Sequence, residues 1–172
     1  MKSILVVTPA YNEEKNIPLI YGELKKIFAQ LEKAYSFEIL FVNDGSEDRT
    51  LQEIEKLAKV DQSVKYIDFS RNFGKEIAST AGINNCHADA CLMIDSDLQH
   101  PVKLIPQFIE KWENGAEVVV GIRKKNKSDS IFKKIGSALF YNVINRISYV
   151  EIVTNATDFR LLDRRVLDEI NR

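Results

Sequence analysis

The chain has 172 residues, 24 basic against 25 acidic, a formal charge of −1, 45% hydrophobic residues and two cysteines. This length suits a single domain that buries about 70% of the surface its extended form would expose. The near-zero net charge argues against a nucleic-acid binder organised by overall charge, so any basic surface must be local.

Cys86 and Cys91 form no Cys-x-x-Cys, and only His87 and His100 lie near them in sequence. A disulfide framework and a zinc site are both disfavoured, and a reducing compartment fits. The opening apolar run, Ile4 to Val7, is too short for the core of a signal peptide. No stretch approaches the roughly 18 apolar residues of a membrane span, so the chain as given reads as cytoplasmic.

In chain order, short apolar runs alternate with amphipathic ones. Ile4 to Thr8, Glu38 to Val42, Val64 to Phe69, Ala90 to Ile94 and Glu117 to Ile122 read as strands. After the first strand, Asn16 is placed to cap a helix with Pro18 in its first turn and a stripe of Ile17, Ile20, Tyr21, Leu24, Ile27, Phe28 and Leu31. Further helices are predicted over Thr50 to Lys59, Lys75 to Asn84, Val102 to Asn114 and about Ser130 to Ser148. The last residues, Asp168 to Arg172, read as the inside of a helix, which makes the sequence look like a fragment. The alternation implies βαβ units, right-handed crossovers and a mostly parallel sheet covered on both faces.

Such sheets bind ligands outside the carboxyl ends of their strands. The segments expected there are Pro9 to Glu13, Asn43 to Ser46, Ser70 to Lys75, Asp95 to Gln99 and Gly121 to Arg123. No Gly-x-Gly-x-x-Gly and no Walker-type loop follows a strand, which disfavours a dinucleotide oxidoreductase and a P-loop NTPase.

Asp95 and Asp97 carry the most chemistry. Side chains at i and i+2 of a strand leave one face, so at the strand's end both carboxylates can converge on a hard divalent cation. The spacing alone is weak, because an Asp-x-Asp at a strand end is more often a turn former or a solvated loop. Arg71 and Lys75 taken singly are equally readable as solvated loop charges. An isolated Asp158 is usually a cap or an ion-pair partner, here of Arg160.

Taken in order, the stretches Val7-Thr8-Pro9-Ala10-Tyr11-Asn12-Glu13-Glu14, Asn43-Asp44-Gly45-Ser46-Glu47-Asp48, Ser70-Arg71-Asn72-Phe73-Gly74-Lys75-Glu76, Asp95-Ser96-Asp97-Leu98-Gln99-His100-Pro101, Val120-Gly121-Ile122-Arg123 and Thr157-Asp158-Phe159-Arg160-Leu161 point one way. The chain resembles family 2 glycosyltransferases of the GT-A fold, and more narrowly the polyprenyl-phosphate glycosyltransferases, the group of bactoprenol glucosyltransferase and dolichol-phosphate mannose synthase.

The resemblance implies a Rossmann-like sheet in a single catalytic domain over residues 1–172, truncated at its carboxyl end, since such relatives continue with more catalytic domain and membrane helices. It also implies transfer of a sugar, with inversion, from a UDP- or GDP-sugar to a polyprenyl phosphate or, alternatively, to a cell-envelope glycan. A catalytically silent nucleotide-sugar-binding domain is the alternative from another class.

By the same resemblance, Pro9, Tyr11 and Glu13 would contact the nucleoside, and Asp44 the base or ribose. Ser96 and Lys75 would line the donor site, and Arg123 would lie near the phosphates. Asp95 and Asp97, with Gln99 as a further ligand, would hold Mg2+ or Mn2+, and Asp158 would stand in the position of the catalytic base. Two departures from the family pattern are Asn43 in place of an aspartate and Val102 in place of a second proline.

The stretch from Arg123 to Arg146 holds seven basic residues against Asp129 alone, a local charge of +6. Ile131, Phe132, Ile135, Leu139, Phe140, Val143, Ile144 and Ile147 follow helical spacing within it. Core packing is expected for most of this stripe. A basic amphipathic helix over 123–147 would otherwise contact an anionic membrane surface, at the cytoplasmic face in the full-length protein. No nucleic acid is expected as a partner, and the sequence leaves the oligomeric state open.

Overall fold

In a computed structural model, which describes residues 1–122 and 156–172, the chain divides into two compact units, Met1–Val119 with Asp158–Arg172 and Val120–Thr157. The six strands are β1 (Lys2–Ala10), β2 (Tyr35–Asn43), β3 (Val64–Asp68), β4 (Ala90–Met93), β5 (Val118–Ile122) and β6 (Ala156–Asp163). The described helices are α1 (Asn16–Leu31), α2 (Thr50–Val60), α3 (Lys75–Asn84), α4 (Ile105–Glu113) and α5 (Arg164–Ile170). The helix expected over about Ser130 to Ser148 lies outside the described residues.

The strands form one sheet in the order β3-β2-β1-β4-β6-β5. β1 pairs in parallel with β2 and β4, and β2 in parallel with β3, whereas β4 and β6 run antiparallel. From β1 the chain winds outward through β2 and β3, then crosses to the other side of β1 to lay down β4. The gap at the carboxyl ends of β1 and β4 is therefore the topological switch point, where α/β sheets open a crevice.

Alternation along β1 shows how the core is divided. Ile4 and Val6 face a layer built from Ile17, Ile20, Leu24 and Phe28 of α1, Ile54 of α2, and Ile105, Phe108, Ile109 and Trp112 of α4. Leu5 and Val7 face Ala78 of α3 and Leu167 of α5. Helices thus cover both faces, as the continuous apolar runs of a parallel sheet require.

Three local readings are corrected. Asn16 does not cap α1: its amide donates to Glu13 Oε2 at 2.6 Å, while the Glu13 carbonyl accepts from the N–H groups of Asn16 and Ile17 and so closes the first turn itself. The helix expected from Val102 starts as a single 3-10 turn, Val102–Leu104, and becomes α-helical at Ile105. The last helix ends at Ile170, where the Asn171 N–H bonds the Leu167 carbonyl, so residues 171–172 are not in its interior. β6 had no predicted counterpart: Phe159 and Leu161 are buried and alternate with Asp158 and Arg160, but only over residues 158–161.

Candidate active site

The loop after β1 is held by side chains rather than by repeating structure. The Asn12 N–H donates to Ser46 Oγ at 3.0 Å, the Glu13 N–H to Thr50 Oγ1 at 2.7 Å, and Asn12 Oδ1 accepts the Glu47 N–H at 2.9 Å. Asn12 sits at φ 56°, a conformation that Asn tolerates better than most residues because its short side chain can bond the local backbone. The buried Ser96 hydroxyl donates to the Pro9 carbonyl at 3.0 Å and ties the end of β4 to the end of β1.

Asp44 is 3% exposed and supports the opposite wall. Its two oxygens accept the N–H groups of Phe73 at 2.7 Å and Gly74 at 2.9 Å, which fixes the loop leading into α3. Gly74 takes φ 98° there, a turn that Gly makes without steric penalty. The neighbouring Asn43, which replaces the family's aspartate, is also buried. Its amide donates to Asp68 Oδ1 at 2.7 Å, and its oxygen accepts from the Ser46 hydroxyl. A carboxylate at 43 would face the Asp68 carboxylate at hydrogen-bond range, so the amide is the group that fits.

These loops enclose a cleft of about 260 Å³ lined by Pro9, Ala10, Tyr11, Glu13, Asp44, Asn72, Gly74, Lys75, Ala78, Asp95, Ser96 and Asp97. Pro9, Tyr11, Glu13, Asp44, Lys75, Asp95, Ser96 and Asp97, expected from sequence to share a site, thus meet at the β1–β4 switch point. Gln99 is exposed and not part of the lining; its N–H donates to Asp97 Oδ1 at 3.0 Å. Leu98 between them has φ 60°, a rarely populated conformation for a bulky residue. Arg123 lies outside the described residues. Arg71 is exposed, its guanidinium 4.0 Å above the Phe73 ring.

Lys75, the first residue of α3, is exposed but paired. Its Nζ lies 2.8 Å from an Asp95 carboxylate oxygen and 2.6 Å from Asp158 Oδ2. Burial works against the ammonium's charge, but the hydrogen bonds to Asp158 and Asp95 outweigh it and hold the pKa above its ordinary value. The bond from Lys75, assisted by Arg160 Nη2 at 2.9 Å and opposed by burial, holds Asp158 below the usual carboxylate range. The Arg160 pairing suggested by the i+2 spacing is therefore present together with a second one that no local spacing reveals. His100 is the contact that sequence reading missed, with Nε2 3.4 Å from Asp95 Oδ2. Its signal was its place in the Asp95-to-Pro101 motif, without any indication that it would turn back toward the strand.

For a metal, the donor set is two carboxylates with hard oxygen ligands on one side of a cleft. Among the described residues no three acidic, histidine or cysteine side chains gather closely enough to hold an ion by themselves. Two carboxylates suit a magnesium-like cation that keeps waters and takes its remaining oxygens from a diphosphate. On that chemistry Asp95 and Asp97 fit.

The mixed sheet and its switch-point cleft define a GT-A α/β domain. The chain belongs to glycosyl transferase family 2, whose family model matches residues 5–171. It is 45% identical to the uncharacterized glycosyltransferase YkcC of Bacillus subtilis over 97% of this chain and 51% of that protein. It is 42% identical to the bactoprenol glucosyl transferase of Shigella phage SfX over 97% of this chain and 54% of that one. The chain thus spans about half the length of the curated relatives it matches. Among solved structures it shares its fold with the mannosyltransferase PcManGT of Pyrobaculum calidifontis, in complex with GDP-Man and Mn2+, at a TM-score of 0.59, 20% identity, and coverage of 97% of this chain and 46% of that one. Among the described residues no helix is long and apolar enough to cross a membrane.

Proposed function

We propose that this chain carries the donor site of an inverting glycosyltransferase that moves a sugar from a UDP- or GDP-sugar to a polyprenyl phosphate, with Mg2+ or Mn2+ held by Asp95 and Asp97. The observation that carries this reading is the cleft that gathers Pro9, Tyr11, Asp44, Lys75, Asp95 and Asp97 at one switch point. The 42% identity to a bactoprenol glucosyl transferase supports the acceptor, and the fold shared with a mannosyltransferase in complex with GDP-Man and Mn2+ supports the donor and metal classes.

In this reading Pro9, Tyr11 and Glu13 form the nucleoside side of the cleft, with Asp44 at the base or ribose. Ser96 holds the two rims at a fixed separation through Pro9. The amino terminus of α3 and the Lys75 ammonium favour the anionic diphosphate, with Arg123 adding charge near it and Gln99 serving as a further ligand. When bound, the metal supplies positive charge against the leaving diphosphate.

In the metal-free chain Lys75 and Arg160 occupy Asp158. A phosphate monoester acceptor, with its second pKa near ~6, is already an anion at neutral pH and needs no base. Asp158 then orients acceptor or sugar, whereas a glycan hydroxyl would require it as a proton acceptor. In the same reading the full-length protein works at the cytoplasmic membrane face, a placement supported by the local charge of the basic stretch 123–147.

Calorimetric titration of the chain with UDP and with GDP, each with and without Mn2+, tests the donor half. Binding of one nucleotide that Mn2+ strengthens is expected, and metal-independent binding or none overturns it. Transfer to a short polyprenyl phosphate by the full-length protein tests the acceptor. Donor binding without transfer there identifies a silent binding domain instead, and transfer only to a glycan identifies the envelope variant.

A further inference from the structure

Lys75 joins two carboxylates that come from different parts of the chain. Its ammonium is 2.8 Å from Asp95, next to the end of β4, and 2.6 Å from Asp158 on β6. Asp95 is the more enclosed of the pair, 19% exposed against 41% for Asp158. One oxygen of Asp97 accepts the Gln99 N–H, whereas both oxygens of Asp95 lie 2.8 Å from the Lys75 ammonium and its Oδ2 is also 3.4 Å from His100 Nε2.

A carboxylate that directs its lone pairs at an ammonium at hydrogen-bond distance cannot give the same pairs to a divalent ion, and the two cations would repel each other across a few ångströms. The lysine stem is long and flexible, it begins at the first residue of α3, and its side chain is 42% exposed, so the ammonium has somewhere to go.

Building on the metal reading above, we propose that Lys75 is a displaceable counter-ion: a divalent cation binding at Asp95 and Asp97 expels its ammonium from the Asp95–Asp158 bridge. The exchange makes metal arrival release two groups at once. Lys75 becomes available to the donor phosphates, and Asp158 loses the partner that holds one of its oxygens and becomes available to the acceptor or sugar. The residue positions both halves of the reaction by occupying their carboxylates until the ion replaces it.

Two measurements on the chain test this without any turnover. First, Mn2+ is titrated calorimetrically into wild type and Lys75→Gln in the absence of nucleotide; about tenfold tighter binding is expected for the variant, which has no ammonium to expel. Second, wild-type Lys75 is labelled with an amine-reactive ester and its modification is followed by mass spectrometry; saturating Mn2+ is expected to raise its rate several-fold while distant lysines such as Lys33 stay unchanged.

An equal affinity in both proteins, or Mn2+ binding that leaves Lys75 labelling unchanged, overturns the exchange while the metal reading stands. Tighter binding by Lys75→Gln without a labelling change is the effect of removing a positive charge alone and also overturns it. Absence of Mn2+ binding in both proteins overturns the metal reading, and the exchange with it.

Discussion

The Gly74 N–H donates to Asp44 Oδ2 at 2.9 Å, so the carboxylate assigned by resemblance to the nucleotide also anchors the loop that presents Lys75. With Phe73 bonding the other oxygen, Asp44 joins the end of β2 to the start of α3 across the cleft. In the proposed reading, donor binding and loop position are coupled through this one side chain.

Asp44→Asn should therefore do two kinds of damage. The amide turns one acceptor into a donor aimed at a backbone N–H, leaving a buried donor unpaired at a cost of about 1–3 kcal/mol. Urea denaturation should show that loss, and calorimetry should show weaker nucleotide binding even where the variant remains folded.

Asp97→Asn and Asp95→Asn are expected to remove the Mn2+ dependence of nucleotide binding, lowering affinity in Mn2+ by at least about tenfold, or about 1.4 kcal/mol, with little change in EDTA. Titration of nucleotide in both buffers reads this. An unchanged response to Mn2+ in both variants would place the ion elsewhere.

Gly45→Ala should cost stability and press on the Arg71–Asn72 backbone at the edge of the cleft. Gly45 has φ 63°, and a Cβ there would lie 2.2 Å from the Arg71 carbonyl carbon, a backbone atom that cannot move aside alone. Strain of this kind costs on the order of 1–3 kcal/mol, and the shift in urea midpoint measures it.

Stability should fall at acid pH through Asp163 and Asp61. Burial alone would raise the Asp163 pKa, but the bonds from Arg165 and Trp112 outweigh it and bring it to about 2. For Asp61, burial is likewise outweighed by Ser63, Lys25 and Tyr21, and its pKa is depressed further. Both pKa values lie below the unfolded value, so the stabilisation is complete above about pH 4 and is lost as pH falls toward 2 and below. Trp112, the single tryptophan, donates from Nε1 to Asp163 Oδ2 at 2.7 Å, which makes its fluorescence a reporter of that acid transition. Asp163→Asn should flatten the profile between pH 4 and 2; Asn caps a helix about as well as Asp, so its cost at neutral pH comes from the lost charge-assisted bond to Arg165.

The elements legible in the chain are those whose cause is local. β1 to β5 and α1 to α4 follow from apolar runs and helical stripes, and the shared rim follows from the parallel connections those elements enforce. Asp95 and Asp97 are paired by the ordered motif around them; both lie beyond the end of β4 at Met93, in the turn that follows it, so the strand geometry of an i, i+2 pair does not apply.

β6 and the bridge it completes come from outside that range. Ala156–Asp163 alternates only over Asp158 to Leu161, and its pairing with β4, Met93 opposite Arg160, is what extends it as a strand. The same pairing brings Asp158 to Lys75, 83 residues away in the chain, and only folding sets that distance. Local sequence thus names the chemical groups and the strand ends that carry them. Which carboxylate the lysine neutralises, and that Asp44 serves the loop as well as the cleft, depend on long-range contacts formed only when the sheet is assembled.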